Sequence, residues 1–210
     1  MNEILDGYKQ FFDYVNKESF FKFGLDNIIT IDKELISNNW KKLLDNINNK
    51  SKDLFIRSFG RNGRKNNIFE KLYNDVFGIN INFDPTNNSK PSRLIQNLTG
   101  YKTNKTIFNY QISHVFGNTK NVYCFTAPWN IVLIPKIIDP FTGHEAKGVY
   151  VDEFQKTFKK YIFEYSEKEI IEYNKIMEKL QPEIIKWVNN NVIEKDKNNI
   201  LKEFEYIVMK

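Results

Sequence analysis

The chain has 210 residues, of which 41% are hydrophobic and 15% aromatic, with 27% charged. That is ample apolar material for a core, which excludes a disordered or collagen-like chain. The length suits one large domain, and no apolar run approaches the ~18–20 residues of a membrane span. The N-terminal stretch MNEILDGYKQFFDYV mixes acidic and basic residues too early for a secretory signal. A single cysteine, Cys124, cannot pair internally, so the expected compartment is a reducing cytoplasm.

The net charge of +5 is concentrated in the middle of the chain. Residues 1–50 carry 7 basic and 8 acidic side chains, residues 51–120 carry 11 and 4, and residues 121–210 carry 13 and 14. The middle segment holds all four arginines, Arg57, Arg61, Arg64 and Arg93, against 27 lysines in the whole chain. Three of them fall within RSFGRNGR, a density that suits the planar fork with which arginine grips phosphates or guanine edges. The alternative is a solvated basic loop.

In chain order, residues 3–16 read as an amphipathic helix with Ile4, Tyr8, Phe11, Phe12 and Val15 on one face. A second helix fits 33–48, with Leu35, Ile36, Trp40, Leu43, Leu44 and Ile47 as its stripe. Asp53–Phe59 suits a short helix or strand. Asn67–Phe77 is helical, with Gly78 as its stop. NINFDPTNNSKP reads as loop, and SRLIQNLT as a short helix opened by Pro91 and closed by Gly100. The β-branched and aromatic run TIFNYQISHVF predicts a strand. GNTKN then makes a turn and VYCFTA a returning antiparallel strand. After the apolar run IVLIPKII, helices are expected over 151–165, from a Ser166/Glu169 capping box to Gln181, from Pro182 through Val188, and over 200–208. The fold class is α+β: a mostly helical single domain enclosing a small β-containing insert.

Both histidines flank that insert. Asn130 lies 16 residues after His114 and 14 before His144. The segments YQISHVFGNTKN, APWNIVLIP and KIIDPFTGHEAKG resemble the HNH nuclease family over residues 106–148. The resemblance implies a ββα-metal finger at 106–148, between a helical, basic DNA-binding part at 1–105 and a C-terminal helical part at 149–210. It makes His114 the general base, and Asn130, early in the finger's helical segment, its orienter or a metal ligand. The last ligand falls on Asp139 by spacing or on His144 by residue type. With Asp139 the oxygen-rich set favours Mg²⁺ or Mn²⁺, and His144 would then act in catalysis as an electrostatic stabiliser beside the scissile phosphate; a His144 ligand would widen the choice toward Zn²⁺ or Ni²⁺. The sequence departs from the family where many members place an acidic or histidine ligand directly before the catalytic histidine: here the residue is Ser113. The cysteine pairs that hold a structural zinc in many such fingers are also absent.

The implied activity is a metal-dependent DNA endonuclease, such as a type II restriction or defence enzyme. Arg57, Arg61, Arg64, Arg93 and Lys120 would contact double-stranded DNA. A palindromic target would call for a homodimer. The alternative, which Ser113 favours, is a non-catalytic nucleic-acid-binding protein that retains a degenerate finger.

Overall fold

A computed structural model describes residues 5–59, 65–143 and 145–209. Arg61, Arg64 and His144 therefore lie outside the described residues. The chain is a mostly helical α+β protein. Its helices are α1 (Gly7–Phe12), α2 (Lys17–Asp26), α3 (Lys33–Asn48), α4 (Asn66–Leu72), α5 (Ser89–Thr99), α6 (Val122–Phe125), α7 (Val149–Tyr165), α8 (Glu167–Asn191) and α9 (Glu194–Leu201). Two small sheets accompany them: β1 (Phe55–Arg57) pairs in parallel with β2 (Asn82–Asp84), and β3 (Tyr110–His114) pairs antiparallel with β4 (Ile131–Pro135). No helix among the described residues is long and apolar enough to cross a membrane.

Strand β4 organises the interior. All five of its residues are buried, and successive side chains of a strand point to opposite faces. Ile131 and Leu133 enter a core built around Trp40, Trp129 and Tyr173. Val132 and Ile134 enter a second, phenylalanine-rich core with Phe20, Phe21, Phe141 and Phe154. Both edges of the strand are also occupied. β3 takes one, with His114 opposite Ile131. Ile29 takes the other by exchanging two backbone hydrogen bonds with Leu133, at 2.9 and 3.0 Å. A strand paired on both edges and packed on both faces is a rigid platform, and His114 lies at the end of its partner.

Several sequence expectations change in the fold. The helix expected over 3–16 is shorter, ending at Phe12, and α2 follows where none was expected. KESFFKFGLD carries a glycine in mid-helix, which weakens the pattern. The packing explains the residue: a Cβ at Gly24 would lie 2.8 Å from Ile138 Cδ1 and 2.9 Å from Phe154 Cε2. The stretch read as loop contains β2, stabilised by parallel pairing with β1. The buried Asp84 at its end accepts hydrogen bonds from the amides of Thr86, Ser89 and Lys90 and from the Ser89 hydroxyl, tying β2 to the start of α5.

The second strand expected at VYCFTA is instead the single helical turn α6, capped by Asn121 and buried on all four residues. The partner of β3 is β4, so Asn130 lies directly before a strand and not in a helix. The Ser166/Glu169 capping box does not form. Ser166 makes no side-chain cap bond, and the Glu169 carboxylate accepts from the Ser37 hydroxyl of α3. Pro182 does not start a helix, because α8 runs through it. The proline removes one backbone donor, but Met177, Ile184 and Val188 stay buried on either side, and that packing outweighs the lost bond. The helix expected over 200–208 ends early. A 3₁₀ turn follows at Lys202–Phe204, and residues 205–209 run extended. Asn174 accepts from Ile207 N–H and donates to Ile207 C=O, both at 2.9 Å, holding this strap as a strand partner would.

Candidate functional site

Residues 115–130 leave the sheet as one long loop and return to it. Backbone and side chain of Asn130 both close it. Val115 N–H donates to Asn130 C=O at 2.9 Å. The Asn130 carboxamide accepts from Phe116 N–H at 2.9 Å and donates to Gly117 C=O and Cys124 C=O, each at 3.0 Å. The side chain is fully buried, with both carboxamide hydrogens and one lone pair of its oxygen engaged by the loop backbone. This geometry makes Asn130 a loop clamp.

His114 sits at the base of this loop with 5% of its surface exposed. Its ring stacks on Phe125 at 5.6 Å between centroids and 9° between planes, and Nε2 lies 3.0 Å from Phe125 C=O. A carbonyl only accepts, so Nε2 carries the proton, and a neutral ring then has its lone pair on Nδ1. The backbone contact thus fixes the tautomer of a neutral His114. Beside it in the strand, the Ser113 hydroxyl is buried with no hydrogen-bond partner among the described residues.

The loop has further anchors that its motif did not announce. Asn121 is fully buried; it accepts from Tyr123 N–H and donates to Tyr173 Oη and Glu203 C=O. Tyr73 Oη accepts from Val122 N–H at 2.9 Å and donates to Lys120 C=O at 2.8 Å. Burial pushes the Tyr73 and Tyr173 hydroxyls well above their ordinary pKa, so both remain neutral donors. An asparagine before a four-residue apolar run was the one available sequence signal, that of an N-cap. The tyrosines come from distant helical segments and carried none.

The other candidates are dispersed. Asp139 is half-buried in a 3₁₀ turn, Lys136–Thr142, that follows β4, and its carbonyl accepts from the Thr142 hydroxyl at 2.7 Å. Among the described residues, no group of three or more His, Cys, Asp or Glu side chains is placed to hold a metal ion. With Asn130 engaged elsewhere and a serine at 113, the described donors do not by themselves fit a divalent cation. Arg57 is half-buried in β1, its amide donating to Thr119 C=O. Arg93 is exposed on α5 and borders a separate hollow with Lys42, Lys90 and Asp53. Lys120 is turned inward, with its ammonium 3.7 Å from Glu203 and 4.3 Å above the Phe59 ring. Burial lowers its pKa, and Glu203 partly restores it.

Of the described cations that meet the loop, Lys65 directly follows the arginine-rich run, whereas Lys159 and Lys202 come from segments with no basic motif. A cleft of about 470 Å³ is bounded by Val115–Asn118, directly after His114, and by Thr142. Lys65, Lys159 and Lys202 line its walls together with Gln155 and Asn199. A second hollow of about 500 Å³ shares Phe116, Asn118, Gln155, Lys159 and Lys202 with the first and adds Lys156 and the C-terminal strap. Lys65 is paired with Asp196 at 2.7 Å. Lys159 and Lys202 have no carboxylate within 4 Å among the described residues.

No solved structure matches the chain. An uncharacterised protein of Pasteurella multocida (strain Pm70), PM1201, is 42% identical over 205 residues, covering 95% of this chain and 92% of that protein. The family described as "Uncharacterised protein PM1201" matches residues 31–210. The chain belongs to the PM1201 family.

Proposed function

We propose that the protein is a DNA endonuclease whose phosphodiester chemistry is carried by His114. The observation that carries this reading is a convergence. The loop directly after the His114 strand, the turn that ends at Thr142, and lysines from two distant helical segments, with no carboxylate within 4 Å among the described residues, border one cleft. A phosphodiester needs cationic walls to hold it and a base to deprotonate the attacking water. His114 Nδ1 would take that proton as the water oxygen bonds to phosphorus and the P–O bond to the leaving oxygen breaks. Asn130 acts here by holding the loop. Any divalent cation would need Asp139 together with His144, so a requirement for Mg²⁺ or Mn²⁺ belongs to the test.

The test is cleavage of supercoiled plasmid by the wild-type protein with Mg²⁺, with Mn²⁺ and with EDTA, alongside His114→Ala and His114→Gln. The expected result is metal-dependent nicking or linearisation, reduced about 10²–10⁴-fold in both variants, with melting temperatures showing that each is folded. Wild-type rates in a folded His114 variant would refute the assignment. The second reading is a nucleic-acid-binding protein without catalysis. Ser113 in place of the ligand that the family resemblance implies favours it, and binding without cleavage under every metal condition would select it. If the target is a palindromic duplex, the active species is a homodimer, and the cleavage rate will then depend on protein concentration.

A further inference from the structure

We infer that the groove beside the His114 loop is a binding site for a single, unpaired nucleic-acid strand, with its phosphates on Lys159 and Lys202. The inference deepens the nuclease reading by naming the form of the substrate, and the binding it describes requires no catalysis.

The first observation is the lysine pair. Lys159 lies on α7, and Lys202 opens the 3₁₀ turn after α9. Both side chains line each of the two hollows, and burial, with a smaller contribution from Lys202, lowers the pKa of Lys159. Two like charges brought together without a carboxylate disfavour the unliganded protein. Elsewhere the chain neutralises such groups: Lys65 has Asp196, Lys120 has Glu203, and Lys17 has Glu153. The nearest acidic side chains in the groove are Glu203, already engaged by Lys120, and the exposed Glu205. An anion shared between the two ammonium groups would relieve the repulsion.

The second observation is the size and lining of the space. Hollows of about 470 and 500 Å³ meet at Lys159 and Lys202. Each falls within the range of small-ligand pockets, about the room that one or two nucleotides need. Their walls carry the rings of Phe116 and Tyr206, and the amides of Asn118, Gln155 and Asn199. Lysines that track a backbone beside aromatic faces on which bases stack form the usual equipment of single-strand sites. Amides can pair with the exposed edges of unstacked bases. A duplex substrate would therefore have to open locally before its strand reached the His114 loop.

The experiment is fluorescence anisotropy of the full chain with a labelled 12-nucleotide oligo(dT) and with a duplex of the same length. EDTA is present throughout, so that binding is read without cleavage. The single strand should bind at least about tenfold more tightly than the duplex. The Lys159→Gln/Lys202→Gln double variant should weaken binding and reduce the log–log salt slope by about 1.4, at about 0.7 per phosphate contact on single strands. A Lys41→Gln/Lys42→Gln control, at two exposed lysines of α3, should bind the single strand like wild type. Equal or tighter binding of the duplex would overturn the inference. An unchanged salt slope in the folded Lys159/Lys202 variant would do the same. Tight single-strand binding by a protein that never cleaves leaves this site standing and removes the nuclease reading. Cleavage that survives loss of the lysine pair removes this site and leaves the nuclease.

Discussion

Replacing Asn130 distinguishes a loop clamp from a metal ligand, because the two roles respond oppositely to aspartate. The carboxamide is fully buried and makes three hydrogen bonds to the loop backbone. Asn130→Ala strands the Phe116 amide at about 1–3 kcal/mol and loses two further bonds worth about 1 kcal/mol each. The total is about 4 kcal/mol, and for a chain of this size that lowers the melting temperature by about 8–16 °C. Asn130→Asp keeps the shape but turns an oxygen toward Gly117 C=O and Cys124 C=O, two acceptors at 3.0 Å. It should therefore be less stable than the alanine variant at neutral pH. Burial and the facing carbonyls would raise the folded-state pKa of that new carboxyl. Its penalty is then smallest below the unfolded value of about 3.9 and grows as pH rises through the folded one. Differential scanning calorimetry of the wild type and both variants at pH 4 and pH 7.5 reads all of this. A metal ligand would behave otherwise, since aspartate binds Mg²⁺ at least as well as asparagine. If Asn130→Asp melts within about 2 °C of wild type, a shift far below that expected for three lost bonds, and needs less Mg²⁺ for cleavage, the clamp argument fails.

Other consequences are open to direct measurement. Burial opposes ionisation of Asp84, but the amides of Lys90, Ser89 and Thr86 and the Ser89 hydroxyl prevail and hold its pKa below the ordinary value. Its contribution to stability is thus present above about pH 4 and lost as pH falls through the folded value. Asp84→Ala should cost about 2–4 kcal/mol in urea unfolding at pH 7 and flatten the acid limb of the stability profile; a cost near zero would refute the role. Cys124 is fully buried, and burial raises its thiol pKa, so thiol reagents should label it only at the rate of unfolding, and rapid labelling of native protein would contradict the packing around α6. Lys159→Gln removes a charge that burial and Lys202 both disfavour, so it should raise the melting temperature at pH 7 while weakening single-strand binding; a lower melting temperature would mean that the lysine has a structural partner. Gly24→Ala would push a methyl into Ile138 and Phe154 and should destabilise by about 1–3 kcal/mol, readable in the same urea titration.

The periodic elements could be read from the sequence alone. The stripe of Ile36, Trp40, Leu43 and Ile47 defines α3, Gly78 and Gly100 adopt positive φ at the helix ends they were expected to close, and YQISH is a strand. These depend on local spacing and on backbone angles that only certain residues tolerate. Strand pairing did not follow in the same way. VYCF and IVLIP are both short apolar runs, and periodicity cannot separate a buried strand from a buried helical turn. The tertiary structure decided between them, because Asn121 caps the first while β3 and Ile29 occupy both edges of the second. The candidate site divided along the same line. The order of His114 and Asn130 around a loop is a sequence property, but the role of Asn130 depends on which backbone groups the closed loop turns toward it. The cationic wall was beyond the reach of any motif. Lys159 and Lys202 lie 43 residues apart in segments of balanced charge, and the tertiary fold brings both to the walls of the hollows beside the loop that follows His114.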